Sequence, residues 1–235
     1  PLRFFKSKNF TAANIGIFLA GIASNGPMLL LPLFFQNTKG FTAVEAGLML
    51  IPQGLGMMVT RPLIGKMIDR MGARPVVLVS LAISLLGTLP FIFVHENTNL
   101  IWLGLVLFVR GMGIGGLQMP MMTDIFIGLD KQDIPGASVG QRIIQNVGSS
   151  FGSAVILAVV TAVVTSEIAG QMTTKLHQLA AMHTNLTPTV IAKAKTSVEK
   201  AVTLNGYQLG FLVSSIVLIV IAIPAMFLSQ KKVNK

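Results

Sequence analysis

An arginine stands near the middle of a long apolar segment of this chain. Arg110 lies in the run 99–125, where the only other formal charge is that of Asp124 near the end. On insertion scales a charged side chain at the bilayer centre costs about 2.5–3.5 kcal/mol, so such a group faces a protein interior or a wet cavity. Arg110 therefore belongs either to a pathway for substrate or protons, or to a helix break whose backbone carbonyls it bonds.

Acidic residues are scarce at membrane depth. A proton carrier needs a carboxylate or histidine there, because changes in desolvation shift the pKa of such a group. Asp124 is the candidate, although an acid so close to the end of a run could simply be solvated. No Ser/His/Asp set, metal-ligand cluster or nucleotide loop stands at membrane depth, and the chain has no cysteine. The sequence therefore predicts no enzyme, no metal site and no cofactor.

A second charged motif, GKMIDRMGAR at residues 65–74, joins two apolar runs. Gly72 would supply the unusual backbone angle of a tight turn, and Gly65 would allow a close helix approach. Asp69 can form a charge network with Arg70 and Arg74 that latches one conformation. The alternative is an ordinary basic loop.

Small and polar residues at helical spacing indicate packing seams. Gly111 and Gly115 are four residues apart within an apolar run that no strand precedes, which favours close helix packing over a dinucleotide loop. Small and polar side chains also share one face of the run 138–165: Gln141, Gln145, Gly148 and Gly152. We favour a packing seam there as well, with direct substrate contact as the alternative.

Two amide residues lie beside prolines in apolar runs. Asn25 precedes Pro27, and Gln53 follows Pro52. A proline inside a helix frees a backbone carbonyl, so these helices could bend and expose polar groups to a cavity. Equally, the two amides could simply bond across helices.

These residues are carried by six long apolar segments. Apolar residues make up 52% of the chain and charged residues 11%, whereas soluble domains average about 25% charged. Six runs predict six transmembrane helices, A to F, of an all-α membrane protein: 10–35, 43–65, 76–94, 99–125, 138–165 and 205–228. The formal charge of +10 resides mainly at the ends of these runs, which favours topology signals over nucleic-acid binding.

The distribution of basic residues predicts the orientation. The link after helix B and the C-terminal tail are basic, so both termini should be cytoplasmic. The segments are then a cytoplasmic lead-in (1–9), five spans (10–165), an outside helical loop (166–204), a last span (205–228) and a basic cytoplasmic tail (229–235). Within the loop, Thr187 and Pro188 predict the start of a second short helix, and a solvated loop without function is the alternative. Because Pro1 replaces an initiator methionine, we expect a fragment.

Taken together, the motifs resemble the fourteen-helix drug/proton antiporters of the major facilitator superfamily. The resemblance rests on the signature at 65–74, on Arg110 before its glycine-rich stretch, on GLMLIPQG at 47–54, and on the stretches 136–138 and 148–152. It implies a six-helix C-terminal half made of two three-helix repeats in a bacterial plasma or inner membrane. Alternating access would export small amphipathic or cationic drugs in exchange for protons.

The same resemblance implies roles for individual helices. Helices A and D would line the cavity, B and E would face the N-terminal half, and C and F would lie outside. The cavity candidates are Asn25, Gln53, Arg110 and Gln118. Asp69, Arg70 and Arg74 would gate against the N-terminal half. A facilitator for one metabolite and a non-transporting truncated membrane module that assembles with other chains remain as rivals.

Overall fold

The computed structural model describes residues 8–126, 129, 132–181 and 187–228. Within these residues the regular structure is helical: α1 Lys8–Lys39, α2 Ala43–Leu48, α3 Ile51–Met71, α4 Ala73–Thr88, α5 Leu100–Ile125, α6 Ile134–Ala181 and α7 Pro188–Ala225. A 3-10 turn, Leu89–Phe93, extends α4. Six stretches are long and apolar enough to cross a membrane, with α2 and α3 together forming one of them. The predicted six-span, all-α fold is confirmed.

Local sequence signals set several helix ends. Thr42 and Glu45 form a reciprocal capping box that starts α2. Asn99 accepts a hydrogen bond from the backbone N–H of Ile101 and so starts α5. Gly72, at φ 81°, separates α3 from α4 in a backbone region that few residues other than glycine adopt.

The helices pack as two groups of three. One group contains α1, α6 and α7, and the other contains α3, α4 and α5. Contacts of α1 with α5 and of α4 with α7 join the groups. The predicted repeats run A to C and D to F along the chain. In the structure the first helix of each repeat is exchanged: α1 packs with α6 and α7, and α5 packs with α3 and α4.

Glycines bring helix backbones into direct contact. A methyl group at Gly56 would meet the backbone of α5 at Phe108, and one at Gly87 would meet the backbone of Arg110. In the other group, a methyl at Gly148 would lie 2.5 Å from the carbonyl oxygen of Phe18. Lipid tails are as apolar as leucine, so close packing of this kind holds membrane helices together.

The described residues of the link predicted as an outside helical loop are helical. Residues 166–181 and 188–204 continue the two flanking spans: α6 is one helix of 48 residues, and α7 is one helix of 38 residues. Thr187 is the N-cap of α7 and Pro188 follows it, so this pair starts a long helix instead of the short one expected. At about 1.5 Å per residue α6 is roughly 72 Å long, which exceeds a hydrocarbon core of about 30 Å.

Polar contacts tie helices together at the end of the bundle opposite Gly72. The ammonium group of Lys39 donates to the backbone carbonyls of Glu96 and Thr98, at 2.8 Å for Thr98. Nδ2 of Asn37 lies 2.6 Å from the hydroxyl of Tyr207. These bonds attach the end of α1 to the link before α5 and to α7.

Two parts of the predicted organisation lie outside the described residues. They are most of the lead-in at 1–9 and the basic tail at 229–235, and residues 182–186 of the predicted loop are likewise not described.

Candidate functional site

Arg110 is completely buried at the centre of the group formed by α3, α4 and α5. Its exposed fraction is 0%, and its Nη1 donates a 2.9 Å hydrogen bond to Oε1 of Gln53. Its Nε has no partner among the described residues, and no carboxylate in that part of the chain forms an ion pair with it. The guanidinium therefore faces the protein interior and retains donor capacity that Gln53 does not use.

Close backbone contact between α3 and α5 makes the Arg110–Gln53 bond possible. A methyl group at Gly111 would collide with the backbone of Gln53, and one at Gly115 would lie 3.1 Å from Cα of Met57. Because both glycines face α3, the two helices touch at backbone level next to the guanidinium. Longer side chains at these positions would separate the donor from its acceptor.

Asn25 bonds across helices. Its Nδ2 donates to Oγ of Ser149 at 2.9 Å and to the carbonyl of Gly21 at 3.1 Å. Across the same contact, a methyl at Gly152 would meet the backbone of Ile22. Asn25 and Gln53, the two amides beside prolines, thus both join helices in this structure.

A chain of three amides links the two helix groups. Gln141, which is 2% exposed, donates to Gln145 at 3.2 Å. Gln145 in turn donates from its Nε2 to Oε1 of Gln118 at 3.1 Å. Sequence spacing placed Gln141 and Gln145 on one face of their helix, but only the fold brings Gln118 of α5 beside α6.

Asp124 is also buried, with an exposed fraction of 0%. It lies one residue before Ile125, the last residue of α5. One alternative was that this carboxyl group is simply solvated at the helix end. Its complete burial does not agree with that alternative. A buried carboxyl group is the type whose protonation responds to a change in surroundings.

The charged residues of the 65–74 motif surround the turn at Gly72. Asp69 and Arg70 are exposed and Arg74 is half-buried, while Gly65 has Cε of Met119 as its nearest neighbour at 4.0 Å. Within the described residues, Asp69 forms no ion pair with either arginine, so the expected charge network is not closed inside this chain. The exposed charges are left available to another segment.

An open cleft of about 590 Å³ lies between α3 and α5. Its lining consists mainly of apolar side chains with three polar ones: Met57, Arg61, Ile114, Gly115, Gln118, Met119, Met122, Thr123 and Phe126. Our reading of the sequence missed Arg61. Arg61 lies inside the predicted apolar run 43–65 but only four residues before its end, so the criterion that singled out Arg110, a charge far from either end of a run, did not select it.

Residues 1–153, more than half of the chain, match the family profile described as Major Facilitator Superfamily. The chain belongs to the Major Facilitator Superfamily. Members of this superfamily are membrane transporters, and each half of such a protein contains two inverted three-helix repeats. The two helix groups of this chain correspond to these two repeats, with α1 and α5 exchanged between them.

Curated relatives in several bacteria are similar to this facilitator chain. The uncharacterized MFS-type transporter YcnB of Bacillus subtilis is 34% identical over 125 residues, which cover 53% of this chain and 26% of that protein. A multidrug resistance protein B homolog of Mycobacterium tuberculosis strain H37Rv is 31% identical over 151 residues, 63% of this chain and 28% of that protein. The putative multidrug resistance protein MdtD of Yersinia enterocolitica is 30% identical over 148 residues, 62% of this chain and 30% of that protein. In these matches the chain spans about a quarter of the relatives' length.

The facilitator fold explains the uneven burial of the six spans. The spans formed by α3 and α6 are the least buried, although both carry the seams that pack against α5 and α1. Their remaining surface includes the polar residues Arg61, Arg142 and Asn146, which are exposed. Polar groups at these positions would be costly against lipid, so this surface suits contact with protein or water.

Proposed function

We propose that this chain is the C-terminal half of a fourteen-helix exporter that moves small amphipathic drugs out of a bacterial cell in exchange for protons. The observation that carries the proposal is the sheltered guanidinium of Arg110. One helical turn further on, Ile114 and Met57 line the open cleft, so the buried charge lies close to a space that can hold a ligand. Two of the relatives carry multidrug resistance in their names, which supports drugs as the substrate class.

The proposal includes alternating access, which the exposed surface of α3 and α6 supports. Two six-helix halves would rock about a cavity between them, and the surface of α3 and α6 would face the N-terminal half. Asp69 and Arg70, which have no partner within the described residues, would bond that half in one conformation and release it in the other. Both termini would then be cytoplasmic, in the plasma or inner membrane of a bacterium.

Proton coupling is assigned in this proposal to Asp124. A carboxyl group that is buried in one conformation and wetted in another binds a proton in the first and releases it in the second. The complete burial of Asp124 next to the end of α5 supports this assignment. Cationic drugs, which the family resemblance also implies, would require an acidic side chain in the binding cavity.

The test uses the complete transporter in inverted membrane vesicles that carry a fluorescent pH indicator. We expect amphipathic drugs to release protons from energised vesicles, and we expect Asp124→Asn to abolish that release. Glu199→Gln, which alters an exposed carboxyl group of α7, should behave like the parent protein. A response to one metabolite but to no drug would replace this proposal by the single-metabolite facilitator. Stable insertion without any substrate-dependent flux would favour the non-transporting module.

A further inference from the structure

The cleft between α3 and α5 presents a positive charge that has no partner among the described residues. Arg61 lies ten residues before Met71, the last residue of α3, which places it about 15 Å from that end. Arg61 belongs to the predicted apolar run 43–65, four residues before the end of that run. Arg61 is exposed, and within the described residues it forms no ion pair or hydrogen bond. Its charge is therefore available to a molecule that enters the cleft.

Gln118 adds a second donor to the same cleft. Its Oε1 accepts the hydrogen bond from Gln145, so the amide nitrogen is the part of the group that stays unused. The amide of Gln145 is itself held by Gln141, and this fixes the orientation of the Gln118 side chain. Arg61 and Gln118 thus both offer N–H groups, and an oxyanion is the ligand that accepts from such a pair.

The remaining cleft surface is apolar and deformable. Met57, Met119 and Met122 contribute three thioether side chains, and Phe126 contributes an aromatic ring. Methionine side chains adjust to ligands of different shape because they are unbranched and polarizable. A flexible apolar wall beside an anion-binding pair fits a molecule with an alkyl or aryl body and one acidic group.

Acidic groups are absent from the described lining of the cleft. Its polar members are Arg61, Gln118 and Thr123, and the hydroxyl of Thr123 donates to its own helix at the carbonyl of Met119. Asp124 is the next residue in the chain, but it is fully buried and not part of the lining. A cationic ligand would meet Arg61 without any compensating charge from the described lining.

We infer that this cleft binds the acidic group and apolar body of an amphipathic anion, with Arg61 and Gln118 as the groups that hold the anion. This inference rests on the proposed export function and narrows its substrates. Arg61 provides charge and a forked pair of donors, Gln118 provides orientation, and the methionines accept variation in the apolar body. The cleft thereby selects ligands that carry a negative charge and accepts apolar bodies of different shape.

Two probes with the same decyl chain and opposite charge separate this inference from the export function itself. The complete transporter in zwitterionic lipid nanodiscs is titrated with decyl sulfonate and with decyl trimethylammonium. We expect tighter binding of the sulfonate, and a loss of roughly ten- to hundredfold in its affinity in the Arg61→Gln variant. Arg61→Lys should keep most of the affinity, since it keeps the charge. Lys66→Gln removes one exposed positive charge from the same helix outside the cleft and should change nothing.

The outcomes are distinguishable. Preference for the ammonium probe, or equal weakening of both probes by Arg61→Gln, overturns the inference while drug-dependent proton release in vesicles upholds export. Absence of proton release with every drug and with both probes removes the export function as well.

A cysteine placed in the cleft tests its accessibility directly. This chain has no cysteine, so Met119→Cys introduces the first thiol into it. We expect a water-soluble maleimide to label this thiol in the complete transporter, and decyl sulfonate to slow the labelling. A thiol that does not react from either side of the membrane would show that another segment fills the cleft, which overturns the inference.

Discussion

Arg110 and Gln53 are 57 residues apart in the sequence, and a 2.9 Å hydrogen bond joins them where the guanidinium has no exposed surface. The bond links α5 to α3 at the point where glycine lets the two backbones touch. A buried charge without a carboxylate partner depends on the neutral groups around it, so the position of Gln53 determines whether Arg110 is tolerated.

The first prediction concerns the acceptor of this bond. Gln53→Leu should lower the free energy of unfolding by about 1–3 kcal/mol, because it leaves a buried cationic donor without its acceptor. Thermal unfolding of the purified protein in detergent measures the effect. Gln36→Leu is the matched control, since among the described residues the Gln36 amide bonds only the carbonyl of Pro32 in its own helix. Equal effects of the two substitutions would show that the Arg110–Gln53 bond contributes no more to stability than a hydrogen bond within one helix.

The second prediction compares two glycines of α3. A methyl at Gly56 would meet backbone atoms of α5, whereas one at Gly54 would meet nothing within 4 Å. Gly56→Ala should therefore cost about 1–3 kcal/mol or more in stability. Gly54→Ala should be neutral or slightly stabilising, because alanine favours helix by about 1 kcal/mol over glycine. Unfolding curves and the yield of folded protein report both, and a stable Gly56→Ala variant would contradict the close α3–α5 crossing.

The third prediction concerns the amides between the helix groups. In a double-mutant cycle, Gln118→Ala and Gln145→Ala should show a coupling energy of about 0.6 kcal/mol, the average for hydrogen bonds between membrane helices. The same cycle with Asn146→Ala in place of Gln145→Ala should give a coupling energy near zero, because Asn146 is exposed on the same helix and makes no bond to Gln118. Equal couplings in the two cycles would place the Gln118 amide elsewhere.

The fourth prediction concerns the bond from Lys39 to the link before α5. Lys39→Met removes the donor to the carbonyls of Glu96 and Thr98, so amide hydrogen exchange at residues 95–99 should become faster. Mass spectrometry of the exchanged protein resolves this segment. Lys175→Met changes an exposed lysine of α6 and should leave exchange at 95–99 as it was. Unchanged exchange in both variants would mean that the link is ordered by other contacts.

Positions of charges within apolar runs were informative before any fold was known. The cost of a charge at mid-bilayer predicted that Arg110 would be sheltered, and the structure buries it completely. The rule did not select Arg61, because that residue lies only four positions before the end of the predicted run 43–65. The rule does not say how a charge is accommodated: Arg110 is enclosed by helices, while Arg61 opens onto a cleft.

Helix boundaries were less predictable at the long link. The expected spans ended at residue 165 and resumed at residue 205, where the sequence becomes polar, yet α6 continues to Ala181 and α7 begins at Pro188. Hydropathy predicts which residues favour lipid, whereas helix continuity depends on backbone hydrogen bonds that form equally well beyond the bilayer. Val198 and Val202 are buried, so the extended part of α7 is packed as well as helical.

The sequence by itself determined that this chain is a bundle of six membrane helices with a facilitator signature, because apolarity, charge placement and motif spacing are properties of short stretches. Only the tertiary structure decided that Gln53 is the partner of Arg110, that Gln145 reaches Gln118, and that Asp69 has no partner within the described residues. Those relationships depend on where helices distant in sequence cross and on how closely glycines let their backbones approach, and neither quantity is encoded in any single segment.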